Sequence, residues 1–250
     1  MDATNFITAC ELSKQAFKTA TLLKTLSVNS LIRGEKGVGK KSLARYILPD
    51  ATIIDASEFE ELLNTLQSAK EIIIVNLENS PNIKIVLEAI SENSTRVIAT
   101  ASSSFSSEYI DEIFSVIFNI PPLRERLEDV QKLVERFAEE ASVLFYNNVK
   151  VDTKNFIPDL SQNSISLKRQ VMIHSLLYDI KDIELMEIMQ NYLRDKLGSQ
   201  NDYKNFLYIY EKPLIKAGLK RYKSQSKLAQ ILGLNRNTLR KKIIDNKINI

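Results

Sequence analysis

The chain has one cysteine, Cys10, one histidine, His174, and six glycines among 250 residues. A single cysteine excludes an internal disulfide, and a single histidine excludes a multi-histidine metal centre. His174 lies in an apolar helical stretch, VMIHSLLYDI, where a packed core histidine is expected rather than a catalytic one. Long apolar runs are missing as well. The longest purely aliphatic run, Ile72 to Val75, is far shorter than the roughly 20 residues a bilayer span requires. The start, MDATNFITACEL, lacks the basic segment and apolar core of a secretory signal. A soluble, cytoplasmic protein without membrane contact is expected.

Net charge is small overall but unevenly placed. The net charge is +3. From Asp202 onward, 12 Lys and Arg stand against 3 Asp and Glu, a local net of +9, which leaves −6 for residues 1–201. A basic terminal segment on an acidic body suggests a polyanion-binding module attached to a body that does not bind nucleic acid itself.

What is present is most informative at that basic end. The stretch SQSKLAQILGLNRNTLRKKI, Ser224 to Ile243, reads as two helices around a tight turn. Leu228, Ala229, Ile231 and Leu232 belong to the first helix. Gly233 follows where a left-handed C-cap is expected. Asn235 can cap the second helix, whose apolar seam is Leu239, Ile243 and Ile244. Its other face shows Arg236, Asn237, Arg240 and Lys241. This is the pattern of a helix-turn-helix whose second helix enters the major groove of double-stranded DNA.

The body alternates strand and helix signals. Residues 5–26 read as a helix with a stripe at Leu12, Ala16, Phe17, Ala20 and Leu23. Strands are expected at Ser27 to Arg33, Ala51 to Asp55, Glu71 to Asn76, Arg96 to Ala101 and Val116 to Ile120. Helices are expected at Glu58 to Ser68 and Asn82 to Asn93. The continuous aliphatic strands argue for a buried parallel sheet, hence an α/β fold. After Pro121-Pro122 the chain reads as helical: a long amphipathic helix carrying Val130, Leu133, Val134, Phe137 and Ala141, then helices from Asp152 to Ile188 with a break near Pro158 to Ser166. Residues from Leu185 to Gln200 taper toward a linker. A long helix is expected over 202–223, with an apolar side at Tyr208, Leu214, Ala217, Leu219 and Tyr222 and a kink at Pro213.

Three of the six glycines fall in one segment, Gly34-Glu35-Lys36-Gly37-Val38-Gly39-Lys40, which fits G-x-x-x-x-G-K between a strand and a helix. Glycines permit the tight backbone that turns amide N–H groups toward phosphates, and Lys40 would reach the β and γ phosphates. The Ser or Thr that usually follows is Lys41, with Ser42 one residue later. Nucleotide binding, as ATP or ADP, is expected at Gly34 to Ser42.

Three motifs together carry a resemblance. LIRGEKGVGKKSLAR resembles the phosphate loop of the NtrC-like, sigma-54-dependent activators of the AAA+ class. IFNIPPLRERLEDVQKL resembles that family's segment leading from the sheet into a helical lid. YEKPLIKAGLKRYKSQSKLAQILGLNRNTLRKKI is similar to the Fis-type domain that ends these activators. The resemblance implies a P-loop AAA+-like domain at 1–122, a helical lid and linker at 123–200, and a Fis-type DNA-binding and dimerisation domain at 201–250. It implies a homodimer through 202–223 and DNA contacts at Gln225, Ser226, Asn235, Arg236, Thr238, Arg240, Lys241 and Lys242. By side-chain chemistry, Arg236 and Arg240 suit guanine edges and Asn235 a base edge or phosphate, while the other five suit phosphates.

The departures from the family are equally specific. The aliphatic run IIIV is followed by Asn76-Leu77, so the acids that hold Mg²⁺ and orient water are missing there, with Glu78 close by. Ser102 stands where an Asn senses the γ-phosphate. No arginine occurs between Ala99 and Leu123, so the finger offered to a neighbouring subunit is missing. A lid arginine is expected between Ser164 and Arg169. The GAFTGA loop that contacts sigma-54 is absent, so that contact is not expected. The expected function is a DNA-binding transcriptional regulator with a hydrolysis-deficient AAA+ body. The alternatives are an active ATPase activator that uses Glu78, and an architectural DNA-binding protein of the Fis type.

Overall fold

The computed structural model describes residues 6–145, 156–178 and 180–248. The chain forms two compact units, Met1–Asp179 and Ile180–Ile250.

In the first unit, strands β1 (Ser30–Arg33), β2 (Thr52–Asp55), β3 (Glu71–Val75), β4 (Arg96–Ala101) and β5 (Val116–Asn119) form one sheet of order β2-β3-β4-β1-β5. Every pairing in it is parallel. Period-two alternation sends successive residues to opposite faces. Leu31, Ile72, Ile74, Val97 and Ala99 pack beneath α3 (Phe59–Ser68), α4 (Ile83–Glu92) and the short α5 (Ile110–Ile113). Ile32, Ile73, Val75 and Ile98 pack beneath α1 (Glu11–Leu23) and α2 (Lys40–Ile47). Both faces are therefore dry, which is why the strands read as unbroken aliphatic runs. Each fully buried Ile or Leu contributes about 1.5–3 kcal/mol.

Next come α6 (Leu127–Phe145) and α7 (Ser164–Leu176). Their shared core, Val130, Leu133, Val134, Phe137, Leu167 and Val171, forms the lid. In the second unit, α8 (Asp182–Arg194) and α9 (Asp202–Phe206) precede α10 (Tyr208–Tyr222), α11 (Gln225–Ile231) and α12 (Arg236–Asp245). Ile215, Leu228, Ala229, Leu239, Ile243 and Ile248 close the core of the last three helices.

Several expectations are corrected. Asn5 and Asp152, where two helices were expected to begin, lie outside the described residues, and α1 itself begins at Glu11. Leu12 is 41% exposed and Ser13 is buried instead, because Ser13 Oγ donates to Asp129 at 3.1 Å. His174 is exposed, packed edge-on against Phe156 rather than into the core. The taper after Leu185 is helical to Arg194. The helix expected over 202–223 is interrupted at Leu207, ahead of Pro213, which lies inside α10. Within α10 the buried residue is Ile215, while Tyr208, Leu214 and Ala217 are exposed. Ile231 and Ile244 are also exposed, and Ile248 fills the core position expected of Ile244.

Candidate phosphate-binding loop and basic recognition helix

The loop between β1 and α2 is held in an unusual state of polarity. Five successive carbonyls, from Gly34 to Val38, accept bonds from side chains or from the lid. Lys40 Nζ donates to Gly34 O at 2.5 Å and to Glu35 O at 3.0 Å. Asn163 Nδ2 donates to Lys36 O at 2.9 Å. Ser164 donates to Gly37 O through both Oγ at 2.6 Å and its amide at 3.2 Å. Arg126 donates to Val38 O at 3.0 Å. With these carbonyls engaged, the backbone N–H groups of Glu35 to Lys41 have no acceptor among the described residues. Such a run of free amides is an anion nest, reinforced by the N-terminus of α2. Gly37 (φ +81) and Gly39 (φ +105) are required. A Cβ at Gly37 would lie 2.5 Å from the Gln162 carbonyl oxygen, and one at Gly39 would lie 2.8 Å from the Phe6 ring. Burial pulls the Lys40 amine below its ordinary value, with the Glu78 carboxylate opposing. Lys36 and Lys41 are exposed, and Ser42 lines the adjoining cavity.

Beside the loop lies a buried ion pair. Arg126 is 2% exposed and Asp129 0%, and Arg126 Nη1 meets Asp129 Oδ2 at 3.2 Å. Asp129 Oδ1 accepts the amides of Ala9 at 2.7 Å and Cys10 at 3.0 Å, which fastens the N-terminal segment to the loop. The carboxylate's bond capacity is well used, as a buried charge requires. The sequence motif contained this pair, but nothing in it announced contacts 119–120 residues away.

A cavity of about 440 Å³ adjoins the loop. Phe6, Ile7, Leu133, Phe137 and Met172 give it an apolar wall, and Gly37, Gly39, Arg126 and Arg169 a polar one. Of the lid segment expected to supply an arginine, Ser164, Ile165, Lys168 and Arg169 line this cavity. Lys168, also on the rim, pairs with Glu140 at 2.6 Å. Glu35, in the phosphate loop, pairs with Arg124 at 2.7 Å. The Arg124 hydrogen bond, then that of Asn163, holds the Glu35 carboxyl below its usual value against the opposing effect of burial.

At the carboxyl ends of β2 and β3 the polar side chains bond one another. Asn76 takes a left-handed conformation (φ 56) and its Nδ2 donates to Asp55 Oδ2 at 2.6 Å. Asp55 Oδ1 accepts from Ser57 N at 3.0 Å and Ser57 Oγ at 2.7 Å. Burial pushes the Asp55 carboxyl up, but the bonds from Ser57 and Asn76 and the charge of Lys41 outweigh it and hold the carboxyl low. Asn76 brings a neutral amide where a carboxylate would carry charge, and the neighbouring Asp55 carboxylate already accepts from Asn76 and Ser57. Ser102 follows β4, with its hydroxyl 3.4 Å from that of Ser104. Among the described residues, no group of three or more His, Cys, Asp or Glu could hold a metal ion.

In the second unit, Ser224 Oγ caps α11 by accepting from Lys227 N. Gly233 (φ +64) ends it, with Gly233 N on Gln230 O at 3.2 Å and Leu234 N on Ala229 O at 2.9 Å, a Schellman closure. Asn235 Oδ1 then accepts from Asn237 N at 2.9 Å and starts α12. With Leu239 and Ile243 buried, Asn235, Arg236, Thr238, Arg240 and Lys241 are left exposed. Arg236 bonds Ser226 Oγ, joining the two helices, while Gln225 is exposed nearby. Lys242 faces the other way and pairs with Glu211 of α10.

Residues 208–244 match the family described as bacterial regulatory protein, Fis family. The DNA-binding transcriptional regulator NtrC of Azospirillum brasilense is 28% identical over 187 residues, 58% of this chain and 38% of NtrC. A Geobacillus stearothermophilus protein described as limonene hydroxylase is 28% identical over 197 residues, 75% of this chain and 36% of that protein. The chain thus spans well under half of these two relatives. Crystal structures of NtrX from Brucella abortus superpose with TM-scores of 0.64 (ADP complex, 16% identity) and 0.59 (ATP complex, 15% identity). Those matches cover 99% and 98% of this chain and 70% and 69% of NtrX. The chain thus shares the fold of NtrX, resembles the regulator NtrC over part of its length, and matches the Fis family in its helix-turn-helix at 208–244.

Proposed function

We propose that this protein regulates transcription by binding double-stranded DNA through α12, and that its AAA+ body takes ATP or ADP but turns ATP over poorly or not at all. The observation that carries the reading is the exposed face of α12. Asn235, Arg236, Thr238, Arg240 and Lys241 stand clear of a core closed by Leu239 and Ile243. Two arginines one helical turn apart match the spacing of base edges in the major groove, and the lysine and hydroxyl suit phosphates. Gln225 and Ser226, at the start of α11, suit phosphate contact as well.

Dimerisation through 202–223 gives two recognition helices for a two-fold site. In support, α10 leaves Tyr208 and Leu214 exposed, and α8 buries nothing while exposing Leu185, Met186, Ile188 and Tyr192. The working division is a nucleotide domain at 1–122, a lid and linker at 123–200 and a DNA-binding domain at 201–250. Without a GAFTGA loop, contact with sigma-54 is not part of the proposal. Among the described residues no helix is long and apolar enough to cross a membrane, and a cytoplasmic regulator accords with that.

For the nucleotide, the free amides of Glu35 to Lys41 supply the phosphate site, and the cavity walled by Phe6 and Met172 supplies room for a base. The Asn76–Asp55 bond in place of a metal-holding acid is the reason to expect little hydrolysis. A second reading, an active ATPase, has one observation in its favour: Glu78 is close enough to Lys40 to raise its proton affinity. Gel-shift selection on random duplexes, beside a steady-state ATPase assay, tests both parts. Discrete bound sequences without turnover support the proposal. Robust Mg²⁺-dependent turnover abolished by Glu78→Gln establishes the second reading instead.

A further inference from the structure

Asn163 joins three segments that lie far apart in sequence. It is 1% exposed. Its Oδ1 accepts from Leu123 N at 2.7 Å, and its Nδ2 donates to Lys36 O at 2.9 Å and to Glu35 Oε2 at 3.1 Å. The backbone there has φ 52 and ψ −126, a region that costs any residue with a Cβ. An amide side chain both donates and accepts, which neither a carboxylate nor glycine can do in this place.

Peptide planarity turns these bonds into an aiming device. In a trans peptide the C=O of one residue and the N–H of the next point in opposite directions. Holding Lys36 O therefore aims the Gly37 N–H, and holding Gly37 O aims that of Val38. The first holder is Asn163 and the second is Ser164, both from the lid. The lid backbone is itself pressed against the loop at Gly37, where any Cβ would strike Gln162 O.

We infer that Asn163 is a positioning residue for phosphate binding, through which closure of the lid and filling of the amide nest become one equilibrium. This rests on the reading that the loop takes a nucleotide. Coupling of this kind is reciprocal: the nucleotide holds the lid shut by the same factor by which the shut lid tightens the nucleotide. A body with little turnover then still converts nucleotide occupancy into lid position.

The test is ADP binding by calorimetry together with amide hydrogen exchange along α7, for wild type, Asn163→Gly and Ser164→Ala. Glycine accepts the φ 52 backbone, so Asn163→Gly removes the side chain without imposing strain. ADP should bind Asn163→Gly about tenfold more weakly, as expected for losing hydrogen bonds to the loop. Ser164→Ala should weaken binding about threefold, for the single hydroxyl bond it removes. ADP should slow exchange over Ser164 to Val171 in wild type and leave Asn163→Gly unaffected. Wild-type affinity and wild-type lid protection in either folded variant overturn the inference. Failure of wild type to bind ADP overturns the nucleotide reading beneath it, which is a separate result.

Discussion

Arg126 and Val38 lie 88 residues apart and meet through a 3.0 Å hydrogen bond from the guanidinium to the loop carbonyl. The same guanidinium is paired with Asp129, and neither side chain is more than 2% exposed. Removing either charge leaves the other buried and uncompensated. Arg126→Ala or Asp129→Ala should therefore destabilise the body by about 3–5 kcal/mol. Urea unfolding of the whole chain, followed by circular dichroism, measures it. A loss below about 1 kcal/mol would match an exposed pair and contradict the buried geometry.

Arg236→Ala and Arg240→Ala should each weaken binding to a selected duplex by about 1–3 kcal/mol. Lys242→Ala should behave differently, because Lys242 is paired with Glu211 within the module. Its effect should fall on thermal stability, with a smaller change in DNA affinity. Fluorescence anisotropy on the selected duplex, beside thermal melting of each variant, separates the two behaviours.

Gly218→Ala should destabilise the C-terminal module. Alanine in a helix is ordinarily favoured over glycine by about 1 kcal/mol. Here the added Cβ would lie 2.3 Å from Leu228 Cδ1, and Leu228 is 1% exposed. Overpacking of this kind typically costs about 1–3 kcal/mol, so the sign reverses. A melting temperature equal to or above wild type would show that α11 shifts freely away from α10.

Nucleotide affinity should be nearly the same in Mg²⁺ and in EDTA, because Asn76 brings no negative charge after β3 and Asp55 is already bonded by Asn76 and Ser57. Lys40→Ala should lower ADP affinity by about 1.5–3 kcal/mol, the range for hydrogen bonds to charged groups. Titration calorimetry in both buffers decides it. A strong requirement for Mg²⁺ would show that the strand ends hold a metal after all.

Acid should loosen the mouth of the loop. Folded Glu35 takes up a proton less readily than the unfolded chain, whose ordinary value is 4.5. The unfolded state therefore binds more protons in that window. The Glu35 contribution is complete above pH 4.5 and is lost as pH falls through the lower folded value. The effect should be small because the Arg124 pair faces solvent. Glu35→Gln should flatten the acid limb of a stability-versus-pH curve while leaving the neutral region nearly unchanged.

Much of the fold was legible because its signals are local. The strand from Arg96 to Ala101 was placed to the residue, since an aliphatic run buried on both faces needs no partner to be recognised. Gly233 and Asn235 announced the turn, because capping chemistry acts within a few residues. What escaped was set by partners distant in sequence. Ser13 is buried at the expense of Leu12 only because Asp129 is there to receive it. His174 sits in an apolar run, yet it is exposed and meets Phe156 at the edge of the lid core. Asn163 gave no sequence signal at all. Its role depends on a backbone conformation and three bonds that only the folded lid creates.

The strap held by Asp129 also gives the protein a built-in chemical clock. Cys10, the only thiol in the chain, is 7% exposed and its amide is bound to Asp129. An alkylating reagent reaches the sulfur only in molecules whose strap has let go, so the modification rate reports that opening directly. Any change at the phosphate loop that reaches Asp129 through Arg126 becomes readable as a change in that rate, on the unmodified chain and without an introduced probe.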